Sequence, residues 1–291
     1  MILFYAPGEG LGHLTRVRAA IHTLKLSERI VLITDSPYAS TMFPDAIIFG
    51  MEPNFQQLLN QLKPDAVYLD AFPCGIHGEL SEIIFSQPVY HFARILRWDF
   101  YRSIASGPLP HFQKTYVLEE LQQDQLCALK QCSEQIESLA LYDPPKFVSH
   151  DETLFHKLKQ ETCWIIVHAG PENECEELTK YAKALADNES VDPEFILLTP
   201  KSGVLDSSIS NLFPYAGRII SGCGFNIMRQ TEPFSAKHHF LPFPRRFDNQ
   251  FLRASRRRES TTKSLTHERM FSFGGGNGQT GIHRENECDK T

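Results

Sequence analysis

The chain has 291 residues, 42% of them hydrophobic and 22% charged, which suits one large or two average domains and excludes disorder over most of its length. Its 29 lysines and arginines are outnumbered by 35 aspartates and glutamates, a formal net charge of −6, so the balance supports no chain-wide nucleic-acid partner. No apolar run approaches the ~20 residues of a bilayer span, and the opening MILFYAPG lacks the basic and apolar regions of a secretory signal, so the expected location is cytoplasmic.

Short β-type runs alternate with helical spacing from the start. Ile2–Ala6 reads as a strand that runs into a glycine-rich turn, and Leu14, Val17, Ile21 and Leu24 then repeat at helical intervals. Strands follow at Arg29–Thr34, Ala46–Phe49, Ala66–Leu69 and Pro88–Ile95, with a helix marked by Phe55, Leu58, Leu59 and Leu62 that stops at Pro64. Leu118, Leu121, Leu129, Cys132, Ile136 and Leu139 fall on one stripe, which predicts a single helix over 118–141. Pro144-Pro145 ends it and makes a stiff connection, so a domain boundary is expected near residue 150.

The second half repeats the rhythm. Cys163–Val167, Phe195–Thr199, Arg218–Ser221 and Phe240–Phe243 read as strands, Leu178 to Ala186 as an amphipathic helix, and Asp248–Arg257 as the start of another. Strands separated by helix-length segments predict parallel sheets. The fold class expected is therefore α/β, with two Rossmann-like domains over 1–150 and 151–258, the second short. Residues 259–291 lose all periodicity and carry GGGNG among polar residues. They read either as a disordered tail or as a stretch whose natural reading frame is broken. The seven cysteines (74, 127, 132, 163, 175, 223, 288) form no CxxC pair, so free buried thiols and no metal site are expected.

Four segments carry chemistry. The first is Pro7-Gly8-Glu9-Gly10-Leu11-Gly12-His13, between a strand and a helix, where Gly10 and Gly12 let backbone approach a ligand and the helix N-terminus suits an anion. The glycine spacing is neither the dinucleotide fingerprint nor a Walker loop. His13, at the mouth of an open sheet, is a candidate general base for an acceptor hydroxyl; a glycine turn with a capping histidine is the purely structural alternative. For Arg16 and Arg18 on the same helix the readings are one arginine facing a phosphate, or, as the simpler account, two solvated surface residues.

The second is Asp70, at the end of a strand and therefore at the same sheet edge, where it can orient His13 or simply cap a turn. Glu79 is expected in the first turn of a helix. The third is His168-Ala-Gly170-Pro171, a strand end and helix start where His168 can donate to a phosphate or ribose or equally serve as a structural strand-end residue, with Glu172 and Glu174 repelling a diphosphate unless they point away. The fourth runs from Ile219 to Ala254: Gly222, Gly224 and Asn226 form a strand–helix loop, Arg245 suits a phosphate, and Asp248 and Gln250 suit sugar hydroxyls.

Residues 219–254 resemble the nucleotide-sugar segment of GT-B-fold glycosyltransferases. They are most similar to the family 28 type, which includes the N-acetylglucosaminyltransferase that makes lipid II. The GEGLGH at 8–13 resembles that family's first loop and the start of predicted bacterial and archaeal glycosyltransferases. The resemblance spans residues 1–258 in organisation. It implies two Rossmann-like domains facing a central cleft, and an inverting, metal-independent transfer from a nucleotide diphospho-sugar, usually a UDP-sugar, with no other cofactor. By the same resemblance His13 lies near the acceptor; Gly222, Gly224 and Asn226 lie under the nucleotide; Gly170 forms the second domain's glycine turn; and Asp248 and Gln250 meet the donor sugar. Gln230 stands where the family grips ribose with a glutamate, which implies a weaker or altered donor grip. The arm that commonly follows is missing after Arg258.

The expected partners are thus a nucleotide-sugar donor and a hydroxyl acceptor, free or lipid-linked. For Arg253 and Arg256–Arg258 the readings are contact with anionic lipid at the inner membrane face, or a basic helix end that complements its dipole. Two other functions stay open: a nucleotide-sugar 2-epimerase on the same fold, and a non-catalytic member that binds a nucleotide sugar or a partner.

Overall fold

The computed structural model describes residues 1–51, 54–145, 163–200 and 207–260. Met1–Ala254 form one compact unit that holds two fully parallel sheets. The expected boundary segment after residue 145 and the tail after 260 lie outside the described residues. Ser255–Thr291 group separately, and of them 255–260 are described, as helix.

The first sheet has seven strands in the order β3-β2-β1-β4-β5-β6-β7. They are β1 Ile2–Tyr5, β2 Ile30–Ile33, β3 Ile47–Phe49, β4 Ala66–Asp70, β5 Val89–Ala93, β6 Phe112–Val117 and β7 Ser133–Ser138. Helices α1 Leu11–Leu24, α2 Ala39–Met42, α3 Phe55–Leu62, α4 Trp98–Ile104 and α5 Gln123–Cys132 connect them. Period-two alternation divides the strands between two cores. Ile2, Phe4, Leu32 and Tyr68 meet Leu14, Val17 and Ala20 of α1, while Leu3, Tyr5, Val31 and Leu69 meet Phe55, Leu58 and Leu59 of α3. Near-continuous apolar strands are what a sheet covered on both faces demands.

The second sheet has four strands in the order β11-β10-β8-β9: β8 Cys163–Val167, β9 Glu194–Leu198, β10 Arg218–Gly222 and β11 His238–Leu241. Helix α6 Glu172–Glu189 packs Leu178, Ala182 and Ala186 on Trp164 and Ile166 of β8. Ile165 faces the opposite core with Leu212 and Phe213. Helix α7 spans Phe225–Gln230.

Most elements lie where periodicity expects them, with four corrections. The single helix over 118–141 is in fact α5 and the edge strand β7, joined without a linker. Ser-Glu-Gln-Ile-Glu-Ser carries no strand signature, and its backbone pairs with β6 from Phe112↔Ser133 to Val117↔Ser138, so sheet pairing overrides local propensity. The strand expected at Phe240–Phe243 runs at His238–Leu241. The helix expected from Asp248 begins at 250. Glu79 sits in a turn, not a helix: its carboxylate accepts Ile76 N–H at 3.0 Å, His77 N–H at 2.7 Å and the Tyr5 hydroxyl.

Both sheets change winding direction, and that places the site. Chain order reverses between β1 and β4 in the first sheet and between β8 and β10 in the second. In open α/β sheets ligands bind outside the carboxyl ends of strands at such points. The segments that leave these strands are Ala6–Gly10, Ala71–Pro73, His168–Pro171 and Cys223–Gly224.

Candidate active site

A cleft of about 390 Å³ is lined by Gly10, Gly12 and His13 from the first sheet's side and by His168, Gly170, Gly222 and Gly224 from the second's. That volume suits a small ligand. Side chains at Gly10 and Gly12 would meet nothing within 4 Å, so packing does not require glycine there and the backbone stays open to a ligand. Gly8 differs: its φ of +115° is a glycine conformation, and a β-carbon would lie 3.6 Å from His13 Cδ2. Gly8→Ala should therefore cost about 1–3 kcal/mol, read as a lower midpoint in thermal unfolding.

Gly10 is the N-cap of α1, and His13, the third residue of the helix, turns its ring to Asp70 instead of to the helix end. The His13 ring points at β4, where Nδ1 lies 2.7 Å from Asp70 Oδ2. Arg16, three residues on and on the same helix face, meets Asp70 as a two-pronged fork: Nε donates to Oδ1 at 2.6 Å and Nη2 to Oδ2 at 2.7 Å. The surface role expected for Arg16 is corrected, since it is 3% exposed and its charge is matched by Asp70. Arg18 is half-buried as well.

Asp70 Oδ2 at 2.7 Å from His13 Nδ1 is nearer than the competing Arg16 Nη2 donor at 3.2 Å, which favours the hydrogen on Nδ1 and leaves the Nε2 lone pair for a substrate. Burial pushes this imidazole below its ordinary value against the pull of Asp70, and the Arg16 and Arg94 cations push the same way, so His13 is neutral at pH 7. Burial by itself would raise the Asp70 carboxyl, but Arg16 and His13 outweigh it and hold the group well below the usual carboxylate range. Phe72 stacks on the imidazole at 5.7 Å. Ala71, between Asp70 and Phe72, has φ +68°, and Phe72 N–H bonds back to Asp70 O at 2.9 Å, a tight turn that ends the strand at the carboxylate. Behind it, His91 Nε2 donates to Ala71 O at 3.4 Å, and burial pushes His91 down to about 4, so it is neutral too.

On the opposite wall His168 Nε2 lies 2.6 Å from Glu174 Oε2. Arg245 clasps both oxygens of that carboxylate, at 2.6 Å and 2.5 Å. Arg245, expected to bind a phosphate, is thus committed to Glu174. Glu174 in turn points inward with its charge matched, which removes the repulsion expected of it.

Four other expected donor contacts are engaged within the protein. Asp248 accepts Arg94 Nη1 at 2.6 Å and Arg253 Nη2 at 2.8 Å on one oxygen, and Arg253 Nη1 at 3.1 Å on the other. Arg253 also forks onto Glu119 at 2.7 Å, which corrects the reading of it as a lipid-facing residue. Gln250 Oε1 accepts the backbone N–H groups of Cys223 at 3.2 Å and Phe243 at 3.0 Å, tying the two strand-end loops together. Gln230 Nε2 donates to Asp143 at 2.9 Å, beside Arg229. Asn226 Nδ2 donates to Gly12 O at 2.8 Å and so links α7 to α1 across the cleft. Gln250→Leu orphans two buried N–H groups and should cost roughly 2–5 kcal/mol. Gln250→Glu keeps the acceptor and should cost clearly less in urea unfolding.

Glu119, Arg94 and Asp143 did not stand out in the sequence. Arg94 follows directly on the end of β5, the strand beside β4, and it lines the cleft. The signal available was positional: an arginine leaving a strand next to the one that ends in Asp70.

No family model and no curated protein matches the chain. Among solved structures it is similar to CalG4, the calicheamicin glycosyltransferase, at 12% identity and a TM-score of 0.46 over 84% of this chain and 79% of that one. It is also similar to WaaG, a glycosyltransferase involved in lipopolysaccharide biosynthesis, at 10% identity and a TM-score of 0.40 over 91% of each. Likeness at this level carries no weight for activity. Among the described residues no helix is long and apolar enough to cross a membrane.

Proposed function

We propose that the chain is a glycosyltransferase that moves a sugar from a nucleotide diphospho-sugar, taken to be a UDP-sugar, to a hydroxyl acceptor. The observation that carries this reading is the His13–Asp70–Arg16 arrangement at the switch point of one sheet, facing the glycine-rich strand ends of a second. Further support comes from the likeness of residues 8–13 and 219–254 to glycosyltransferase motifs.

The reaction asks for few parts. The acceptor hydroxyl sits against His13 Nε2 and gives up its proton as its oxygen attacks the anomeric carbon. Asp70, already hydrogen-bonded to Nδ1, stabilises the imidazolium that forms. The bond between sugar and phosphate breaks, and its electron pair leaves with the diphosphate. A single displacement with a single base inverts the anomeric centre. The N-terminus of α6 offers free N–H groups to the phosphates.

The test is incubation with a panel of UDP-sugars and simple hydroxyl acceptors. Acceptor-dependent UDP release and donor protection against heat are expected; no binding of any nucleotide sugar would sink the reading. A binding-only module is favoured by one observation: Arg245, Asp248 and Gln250 all have protein partners. Such a module would bind UDP-sugar and release no UDP.

A further inference from the structure

The cleft holds the same three-part device twice. In the first sheet a histidine at a helix start is held by a carboxylate, which an arginine fork grips through both oxygens: His13, Asp70 and Arg16. In the second, His168, Glu174 and Arg245 repeat it from an unrelated stretch of chain. The ring nitrogen that is held differs: Nδ1 in His13, Nε2 in His168. Each therefore leaves its other nitrogen for a ligand.

The surroundings of His168 are built around its ring. The residue is 8% exposed and lines the cleft. A β-carbon at Gly170 would come within 2.3 Å of Nε2, and one at Gly222 within 3.0 Å of Cε1 and 3.1 Å of Nδ1, so both glycines make room for the imidazole. Phe243 packs on the ring at 5.3 Å. Among the described residues nothing partners Nδ1, which lies over Gly222 at the end of β10. A neutral His168 must keep its hydrogen on Nε2, toward Glu174, and so presents a lone pair at Nδ1.

A phosphate oxygen arriving there would meet that lone pair and be repelled. Uptake of one proton turns the contact into a charge-assisted hydrogen bond, and Glu174 stabilises the imidazolium from behind. The charged groups facing the ring are Glu174 from α6 and Arg245 from the segment after β11; Phe243 and Gly222 bring no charge. Burial and Arg245 keep the free protein's His168 below its ordinary value, so the proton arrives with the anion.

We propose that His168 is the acid of the transfer: it binds the phosphate as an imidazolium and gives its Nδ1 proton to the departing oxygen, opposite His13 as the base. This rests on the glycosyl-transfer reading above. As the bond from the anomeric carbon to phosphate breaks, its electron pair goes to the phosphate oxygen, which takes the His168 proton. The acceptor oxygen bonds the carbon, and its proton moves to His13 Nε2. Water then takes the His13 proton and returns one to His168, so protons balance over the cycle.

The test has a binding arm and a rate arm, on the full chain. Calorimetry at pH 7.5 with UDP, inorganic pyrophosphate and uridine, in two buffers of different ionisation enthalpy, reads protons taken up. About one per phosphate ligand is expected in the wild type, given an ordinary histidine value near 6.5, and none with uridine. His168→Asn should lose the uptake, and with a UDP-sugar its kcat should fall roughly 100-fold, with KM changing far less. Its kcat should also lose the alkaline limb that the wild type shows as His168 in the complex deprotonates. Glu174→Gln keeps a hydrogen-bond acceptor but not the charge, so it should shift that limb to lower pH; it serves if His168→Asn fails to fold. Pyrophosphate bound without proton uptake, uptake that survives His168→Asn, or an alkaline limb that survives it overturns the proposal. In all three cases turnover by the wild type leaves the transferase reading standing. His168-dependent uptake without turnover of any nucleotide sugar overturns both the acid role and the transferase reading.

Discussion

Replacing Asp70 by asparagine should destabilise the protein by roughly 3–5 kcal/mol, the loss typical of breaking a buried ion pair from one side. Asp70 is fully buried, Arg16 is 3% exposed, and among the described residues no other carboxylate is hydrogen-bonded to Arg16. Asparagine preserves the shape but leaves the guanidinium without a counter-charge, and its amide hydrogens can face the donors of Arg16. The sign of the pH dependence follows. The folded-state Asp70 value lies below its ordinary one, so its contribution is fully present above about pH 4 and is lost as pH falls through the folded value. Urea unfolding should therefore show a wide gap between wild type and variant at neutral pH that narrows in acid. A gap under about 1 kcal/mol at pH 7 would mean that the Arg16 fork contributes little.

The same residues show what was legible in the sequence. Asp70 and His13 could be paired in advance because Asp70 ends a strand and His13 opens the helix that follows another, and a parallel sheet brings strand ends and the helix starts after them to one edge. Arg16 was misread because an arginine on an amphipathic helix looks solvated until its carboxylate partner is known, and that partner lies 54 residues away. The donor-side residues show a different limit. Asp248, Arg245 and Gln250 carry the right groups for a sugar nucleotide, but hydrogen-bond capacity is spent once. Arginines 94 and 253, Glu174 and two backbone amides take most of it. Composition tells which groups a segment offers, and only packing tells which of them are already used. The strand β7 fails in the sequence for a related reason: Ser-Glu-Gln-Ile-Glu-Ser forms a strand because β6 leaves an edge for it, not because its residues favour one.

His13→Ala should lower kcat by roughly 10²–10⁴-fold with KM little altered, because a positioned base acts on the chemical step more than on binding. Folding should survive the change: the ring is partly exposed, and Asp70 keeps both bonds to Arg16. Far-UV dichroism and a thermal midpoint close to wild type would establish that. The pH profile separates a base from a spacer. In the wild type, activity should fall on the acid side as His13 gains a proton, and the limb should lie below the ordinary value of ~6.5 because burial and the nearby arginines disfavour the charged ring. The variant should have no such limb, and added imidazole should restore part of the rate by occupying the vacated space above Phe72. Full activity in a folded His13→Ala protein would remove the base assigned here. The Asp70–Arg16 pair would then be a structural tie between α1 and β4, and proton removal would belong to another group in the cleft.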